Sequence, residues 1–389
     1  MCFRLLEHFN LFRRMAPALQ NVDSLLDSDS QIKIKRLLDD GSKLHNVNNN
    51  AVPKQYVNDK ISDDMDFDIV KYENMEFRAQ IRWPDSIVQV LLHTVTIYGF
   101  YLILTNKVNF LTTLFAFATI YTSGFGITAG VHRLWSHRAY RARLPLKILL
   151  ALLFTITGQR DIYTWALDHR VHHKYSETVA DPHDINRGFW FAHVGWLVLT
   201  PHPAVEDRRI ALRKTSLDLT HDPVVRFQKK FFIPLFLLLN VILPVAIPIY
   251  FWDETLLNSL VVSFVTRFTI TLNIAFCVNS FAHVWGNKPY DRFIKSVENK
   301  LVSLAALGEG WHNYHHAFPW DYRTSELGRL NLSTAFIDFF AKIGWAYDLK
   351  AATNLMIVNR AKRSGDGSLG ESEEPEPSST SVYDNGIRN

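Results

Sequence analysis

Residues 87–104 read IVQVLLHTVTIYGFYLIL: one glutamine and one histidine among eighteen positions, and no formal charge. The apolar residues keep neither the 3.6-residue period of an amphipathic helix nor the alternation of a half-buried strand. The segment is oily on every side, which suits a solvent of lipid rather than water. Three further runs are also long and apolar: Phe110–Val131, Phe231–Trp252 and Thr255–Val278. A bilayer core takes roughly 20 helical residues, so each run is long enough to cross. A fifth, Leu146–Gly158, has about 13 and fits a buried or interfacial helix. The expected fold class is an all-α integral membrane protein with four transmembrane helices.

Charge orients these spans. The segment between the second and third, Arg133 to Lys230, carries about fifteen Lys and Arg, whereas the short connectors hold only Lys107 and the pair Asp253–Glu254. The large segment, and with four spans both termini, are placed in the cytosol. The first residues, MCFRLLEHFNLFRRMAPALQ, lack the apolar core of a signal peptide, so the first span is expected to drive insertion, with Met15 an alternative start. Residues 1–77 are polar, with an Asn run at Asn46–Asn50 and acids at Asp63–Asp68, and read as mostly disordered apart from a short helix at Ser30–Asp39. The working unit is 78–350, and the tail 361–389, rich in Gly, Ser, Pro and Glu, reads as disordered. Cys2 and Cys277 are the only cysteines among 389 residues, which leaves no disulfide framework and no CxxC metal site. The net charge of +4 resides in membrane-flanking segments without a nucleic-acid motif, so the expected partner is the lipid bilayer and not nucleic acid.

Eight of the 16 histidines fall in three clusters: HRLWSH (His132, His137), DHRVHH (His169, His172, His173) and HNYHH (His312, His315, His316). On a helix, positions i, i+3 and i+4 share a face, so each HxxHH presents its imidazoles toward one volume. HxxxxH does not, because i and i+5 differ by about 140° on a straight α-helix; a bend is expected between His132 and His137. A lone histidine is ordinarily a hydrogen-bonded core residue, but eight unligated neighbours would repel when charged and waste desolvation when neutral. They exceed what one ion takes, which makes two metals the economical reading. Zinc lacks redox chemistry and its catalytic sites usually have three protein ligands, whereas iron with open positions activates dioxygen. A carboxylate-bridged site of the four-helix-bundle kind would need Glu-x-x-His pairs, and none is expected here. His93, His193 and His202 lie outside any ligand spacing, and His183 reads as a loop contact. Trp311, Phe318 and Trp320 read as packing around the third cluster.

The stretches GITAGVHRLWSHRAY, DHRVHHKYSETVADPH, VNSFAHVWGNKPYD and GEGWHNYHHAFPWDYR resemble, in order and interval, the boxes of membrane acyl-CoA desaturases of the stearoyl-CoA Δ9 type, from about Trp83 to Trp345. The resemblance implies four spans and a cytosolic helical cap holding a di-iron site in the endoplasmic reticulum membrane. It implies one iron on His132, His137, His169, His173 and His315, and another on His172, His283, His312 and His316, with Asn279 holding a water beside it. It also implies insertion of a cis double bond into a saturated fatty acyl-CoA, using dioxygen and electrons passed from NADH through a reductase and cytochrome b5. The segment His202–Val205, HPAV, lacks the glycines of a haem-binding HPGG motif, which makes the cytochrome a separate partner.

An acyl chain in a closed tunnel gains roughly 0.8 kcal/mol per buried CH₂, so the tunnel sets affinity and decides which carbon meets the irons. Set beside the family pattern, Gln159 and Trp165 match the tunnel's kink, whereas Ala275 and Phe276 replace a usual Thr-Trp. On the CoA side Asp168 matches, while Asp85, Arg160, Leu167 and the pair Thr200–Pro201 differ. Gln159, Arg160, Trp165, Asp168 and Phe276 are thus the expected substrate-binding residues, with Ile120 and Gly124 at the closed end. Two other readings are a related histidine-box lipid hydroxylase and a non-enzymatic membrane metal-binding protein; a transporter of that second kind would carry ionisable ligands along a path within the spans.

Overall fold

The computed structural model describes residues 69–326 and 330–369. The expectations for 1–68, including the helix at Ser30–Asp39, and for 370–389 lie outside the described residues. Two units separate, Met1–Glu76 and Phe77–Asn389, and the second carries every span and histidine cluster.

Helix α1 (Trp83–Leu104) opens on Pro84, whose missing N–H is no loss in a first turn. Its Val90, Leu91 and Ile97 are exposed to 66, 58 and 71%. Such an outward wall of apolar side chains calls for lipid. Helix α2 runs from Phe110 to Ser136, α-helical to Phe125 and then π-helical over Gly126–Ser136. Then follow α3 (Leu144–Thr157), α4 (Ile162–Lys174), α5 (Pro203–Thr215) and α6 (Pro223–Lys230). Helices α7 (Phe232–Trp252) and α8 (Leu256–His283) complete four membrane-length helices of 22, 27, 21 and 28 residues. The short α9 (His312–Ala317), then α10 (Leu332–Lys342) and α11 (Asn354–Ser364), finish the domain. As expected, α3 is apolar but too short to cross.

Helices α2 and α8 continue five residues past their apolar runs, to Ser136 and His283, because their last turns leave lipid for protein that supplies polar partners. This extension corrects the bend expected between His132 and His137. The π-helix carries on without a break, and the His137 N–H donates to the His132 carbonyl at 3.1 Å, an i→i−5 bond. The wider turn brings i and i+5 onto one face, which α-helical geometry forbids.

Packing around that π segment fixes the cap. A Cβ on Gly126 would lie 2.1 Å from the Phe154 nitrogen, so the glycine lets α3 rest on the α2 main chain. Val131 and Trp135 of α2 share a core with Leu146, Leu150 and Phe154 of α3, Ile162 and Ala166 of α4 and Ile337 of α10. The only strands among the described residues, β1 (Arg141–Ala142) and β2 (Ala346–Tyr347), pair antiparallel and clip the end of this core. Helix α3 ends on Gly158 in the left-handed region at φ +67, where a Cβ would strike Asn240 Nδ2 at 2.5 Å.

An arginine holds that corner inside the membrane. Helix α7 is π-helical over Leu237–Ile242, and the carbonyl of Asn240 lies in this stretch. Arg267 of α8 donates to that carbonyl at 2.8 Å, to Ile156 O at 3.0 Å and to Ser263 O at 2.8 Å. A charge in a span is tolerated when main-chain carbonyls receive it. At the other end of the unit, α11 extends past the point where composition turns polar. Ser364 O accepts from Arg292 N, and Asp366 N donates to Lys288 O, so residues 361–366 are tied to the 288–292 loop.

Candidate metal centre

The clusters converge where α2 and α8 end. His132 and His137 come from the π segment and its C-cap, His169 and His173 from α4, and His315 from α9; one ring nitrogen of each lies within 4.8 Å of all the others. The Nε2 pairs His132–His315, His137–His169 and His173–His315 each stand 2.9 Å apart. A second set, His172, His283, His312 and His316, closes in the same way, with Nε2 of His312 3.1 Å from those of His283 and His316. Two nitrogens each about 2.1 Å from one ion, at right angles around it, stand about 3.0 Å apart. The spacings therefore fit one metal per set.

Each HxxHH box serves both sets, contrary to the expectation that its three imidazoles share one volume. Positions i and i+4 differ by about 40° around a helix and stay together, while i+3 falls about 60° to the other side. Thus His169 and His173 face the first set and His172 the second; His312 and His316 face the second and His315 the first.

Electrostatics prepares these rings as ligands. Burial first, and neighbouring imidazoles second, hold His137, His169, His173, His315 and His316 well below the usual histidine range, so they are neutral with free lone pairs. Two carboxylates orient the sets from behind. Glu309 Oε2 accepts from His132 Nδ1 at 2.9 Å, and Asp181 Oδ1 from His172 Nδ1 at 2.8 Å, each leaving Nε2 to face the centre. Burial works to lower the His172 pKa, but the charge and hydrogen bond of Asp181 outweigh it and raise the pKa overall, toward a firmly held Nδ1–H. Burial likewise pushes the Glu309 carboxyl up, yet His132 and Arg133 bring it down to about 2. Arg133, fully buried, donates to Glu309 Oε1 at 2.9 Å and also to Tyr322 O and the side chains of Thr334 and Asn331.

These carboxylates escaped the sequence reading. Glu309 and His312 do stand at Glu-x-x-His spacing, contrary to the expectation of no such pair; this spacing is the signal that could have pointed to the glutamate, but the carboxylate turns to His132 and Arg133. Asp181 also accepts from the His183 N–H, and His172, Asp181 and His183 form a third group of potential ligand atoms. The His183 ring stands edge-on to Trp196 with centroids 4.4 Å apart.

Of the expected substrate contacts, Trp165 Nε1 donates to Gln159 Oε1 at 2.9 Å while its ring stacks on His169 at 5.0 Å. Asp168 is held by two arginines: Arg160 at 2.6 Å and Arg209 of α5, also at 2.6 Å, the latter missed from sequence because it lies 41 residues away. Arg160 also lies over the Trp196 ring. Phe276 is buried with its ring 5.8 Å from both Trp196 and His193. Asn279 is half-buried, four residues before His283 on the same helix. His193 bonds Ser280 Oγ and Asn273 Oδ1, and Asn273 in turn meets His93, so these histidines join α1, α8 and the Phe191–Gly195 turn. Ile120, Gly124, Ala275 and Leu307 line a cavity of about 50 Å³ between α2 and α8 that reaches Glu309.

A family model described as fatty acid desaturase matches residues 108–348. The chain is 50% identical over 294 residues to an acyl-CoA Delta-9 desaturase of Acheta domesticus, covering 75% of this chain and 81% of that protein. It is 50% identical over 296 residues to an acyl-CoA Delta12-desaturase of the same organism, covering 75% and 82%. Against an acyl-CoA Delta(11) desaturase of Trichoplusia ni it is 49% identical over 282 residues, covering 72% and 79%.

Proposed function

This chain belongs to the fatty acid desaturase family, and from that premise we propose that it inserts a cis double bond, at Δ9, into a saturated fatty acyl-CoA in a dioxygen-dependent reaction. The observation that carries the proposal is the pair of closed imidazole sets, five and four, beside an apolar cavity between two spans. The donors suit iron: neutral imidazoles with open positions and two carboxylates behind them. Two iron ions, when bound, supply the activation of dioxygen that removal of hydrogen from an unactivated methylene requires.

The remaining work belongs to the chain's own residues. Glu309 and Asp181 hold the Nδ1–H protons of His132 and His172 and so fix which nitrogen faces each metal. Trp165, locked by Gln159 and stacked on His169, forms an apolar wall beside the first set, excludes water and sets the bend of the acyl chain. Arg160 and Arg209, paired on Asp168, present cationic charge that suits the phosphates of CoA. Ile120 and Gly124 close the far end and limit chain length. Asn279 is suited to hold a water near the second set. Electrons come from NADH through a reductase and cytochrome b5, and the enzyme resides in the endoplasmic reticulum membrane with both termini cytosolic.

Relatives named for Δ9, Δ11 and Δ12 stand at nearly equal identity, so similarity alone does not choose the position. The Gln159–Trp165 pair favours Δ9, being the part of the tunnel that keeps the stearoyl-CoA pattern. Expression in yeast lacking its own Δ9 desaturase, with double-bond positions read by mass spectrometry, tests the proposal. Monounsaturated Δ9 acyl chains are expected, and His315→Ala should abolish them while membrane insertion persists. Hydroxylated products would favour the lipid hydroxylase, and iron-bound protein with no product a metal-binding role.

A further inference from the structure

A second apolar cavity lies away from the histidines. It measures about 280 Å³ and opens between α3, α6 and the first turn of α7, with Ile148, Ala151 and Leu152 on one wall, Val224 and Phe227 on another, and Leu235 at the membrane side. Thr155 and Gln228 also reach it, but each of their polar atoms is already engaged within the protein. Gln228 Nε2 donates to Thr155 Oγ1, Thr155 Oγ1 donates to Ala151 O, and Gln228 Oε1 accepts from Ile162 N. A cavity lined this way takes hydrocarbon and rejects polar metabolites.

Its rim carries the opposite chemistry. Helix α6, PVVRFQKK, holds Arg226, Lys229 and Lys230, all exposed, and no acid. Arg226 stands three residues from Pro223, and Lys230 three from Phe227, so these two cations flank the apolar face that the cavity uses, while Lys229 turns to α4 and lies over the Tyr163 ring at 3.6 Å. The N-cap carboxylate of α6, Asp222, is neutralised by Lys147 at 2.7 Å. Phe232, which follows directly after Phe231, begins a membrane-length helix, so the cations stand at the level of lipid headgroups. Basic residues immediately beside a span attract anionic lipid, each by about fivefold near the surface.

We propose that this cleft binds an anionic phospholipid, one acyl chain in the α3–α6–α7 cavity and the phosphate against Arg226 and Lys230. Gln228 links the occupant to the enzyme, since the same side chain that floors the cavity holds the N-terminal Ile162 N–H of α4, the helix bearing His169, His172 and His173.

The full-length protein, purified with iron, is titrated with phosphatidylglycerol or phosphatidylcholine and read by native mass spectrometry. Phosphatidylglycerol should bind at least tenfold more tightly. A double variant, Arg226→Gln with Lys230→Gln, should lose that preference, and Leu152→Trp, which fills the cavity from a partly exposed position, should weaken binding tenfold with the charges intact. Equal binding of the two lipids, or loss with the charge variant but not with Leu152→Trp, would overturn the proposal, the latter meaning surface attraction with an empty cavity. A phosphatidylglycerol with a photoreactive acyl chain tests the unaltered protein as well. Crosslinks should fall on the peptides holding Ala151, Leu152 and Phe227, and crosslinks confined to other span surfaces would refute the site.

Discussion

Replacing Glu309 probes the support behind the first histidine set. In Glu309→Ala, the His132 Nδ1–H loses the acceptor that stood 2.9 Å away, and the buried Arg133 loses this carboxylate while keeping Tyr322 O, Thr334 and Asn331. Removal of such a carboxylate behind a metal-bound histidine costs about 10–100-fold in metal affinity. Breaking a buried ion pair costs about 3–5 kcal/mol, and the neutral acceptors left to Arg133 place this case near 3. The carboxyl itself gives the same figure. Its pKa of about 2, against an ordinary 4.5, corresponds to about 3 kcal/mol at 1.36 per unit. Because the folded pKa is depressed, this stability is fully present above about pH 4.5 and fades as pH falls toward 2. The assays are chelator titration with metal counting for affinity, and thermal unfolding of the iron-free protein between pH 7 and 3 for stability. Glu309→Gln, which keeps one acceptor, should fall between wild type and alanine. An alanine variant with unchanged chelator midpoint, or a wild-type to alanine stability gap that does not narrow on acidification, would refute the reasoning.

Three other perturbations follow from the same structure. Asp181→Asn should lower metal affinity about 10–100-fold at the second set alone, read as a loss of about half the bound iron at intermediate chelator. Gly158→Ala, forced into the left-handed region at φ +67 against Asn240, should lose at least about 1–2 kcal/mol and lower the unfolding temperature. Gly124→Leu should shift products toward shorter acyl chains, because its side chain enters the 50 Å³ cavity and meets Leu307; an unchanged product profile would remove that cavity from the substrate path.

Much of this was legible from patterns with a direct physical cause. The four spans follow from uninterrupted apolar runs, and the crowding of imidazoles is itself abnormal unless something binds them. The division of each HxxHH between two sets follows from helical angles, yet only when neighbouring sites are considered together. The π-helix at Gly126–Ser136 was hidden, since nothing in GITAGVHRLWS distinguishes an i→i−5 from an i→i−4 ladder until α3 packs against Gly126. Long-range polar pairs were hidden for another reason. Glu309 meets Arg133 across 176 residues and Arg209 meets Asp168 across 41, contacts that composition and periodicity do not encode. Arg267 was read simply as part of an apolar run; its role depends on the Asn240 carbonyl in a different helix.

The most direct test of the account is the iron content of the purified chain, counted per polypeptide in wild type, His137→Ala and His283→Ala. Two imidazole sets that each hold one ion predict two irons in the wild type and one in each variant, the survivor differing spectroscopically between them. A single iron in the wild type, or the same site lost in both variants, would contradict it.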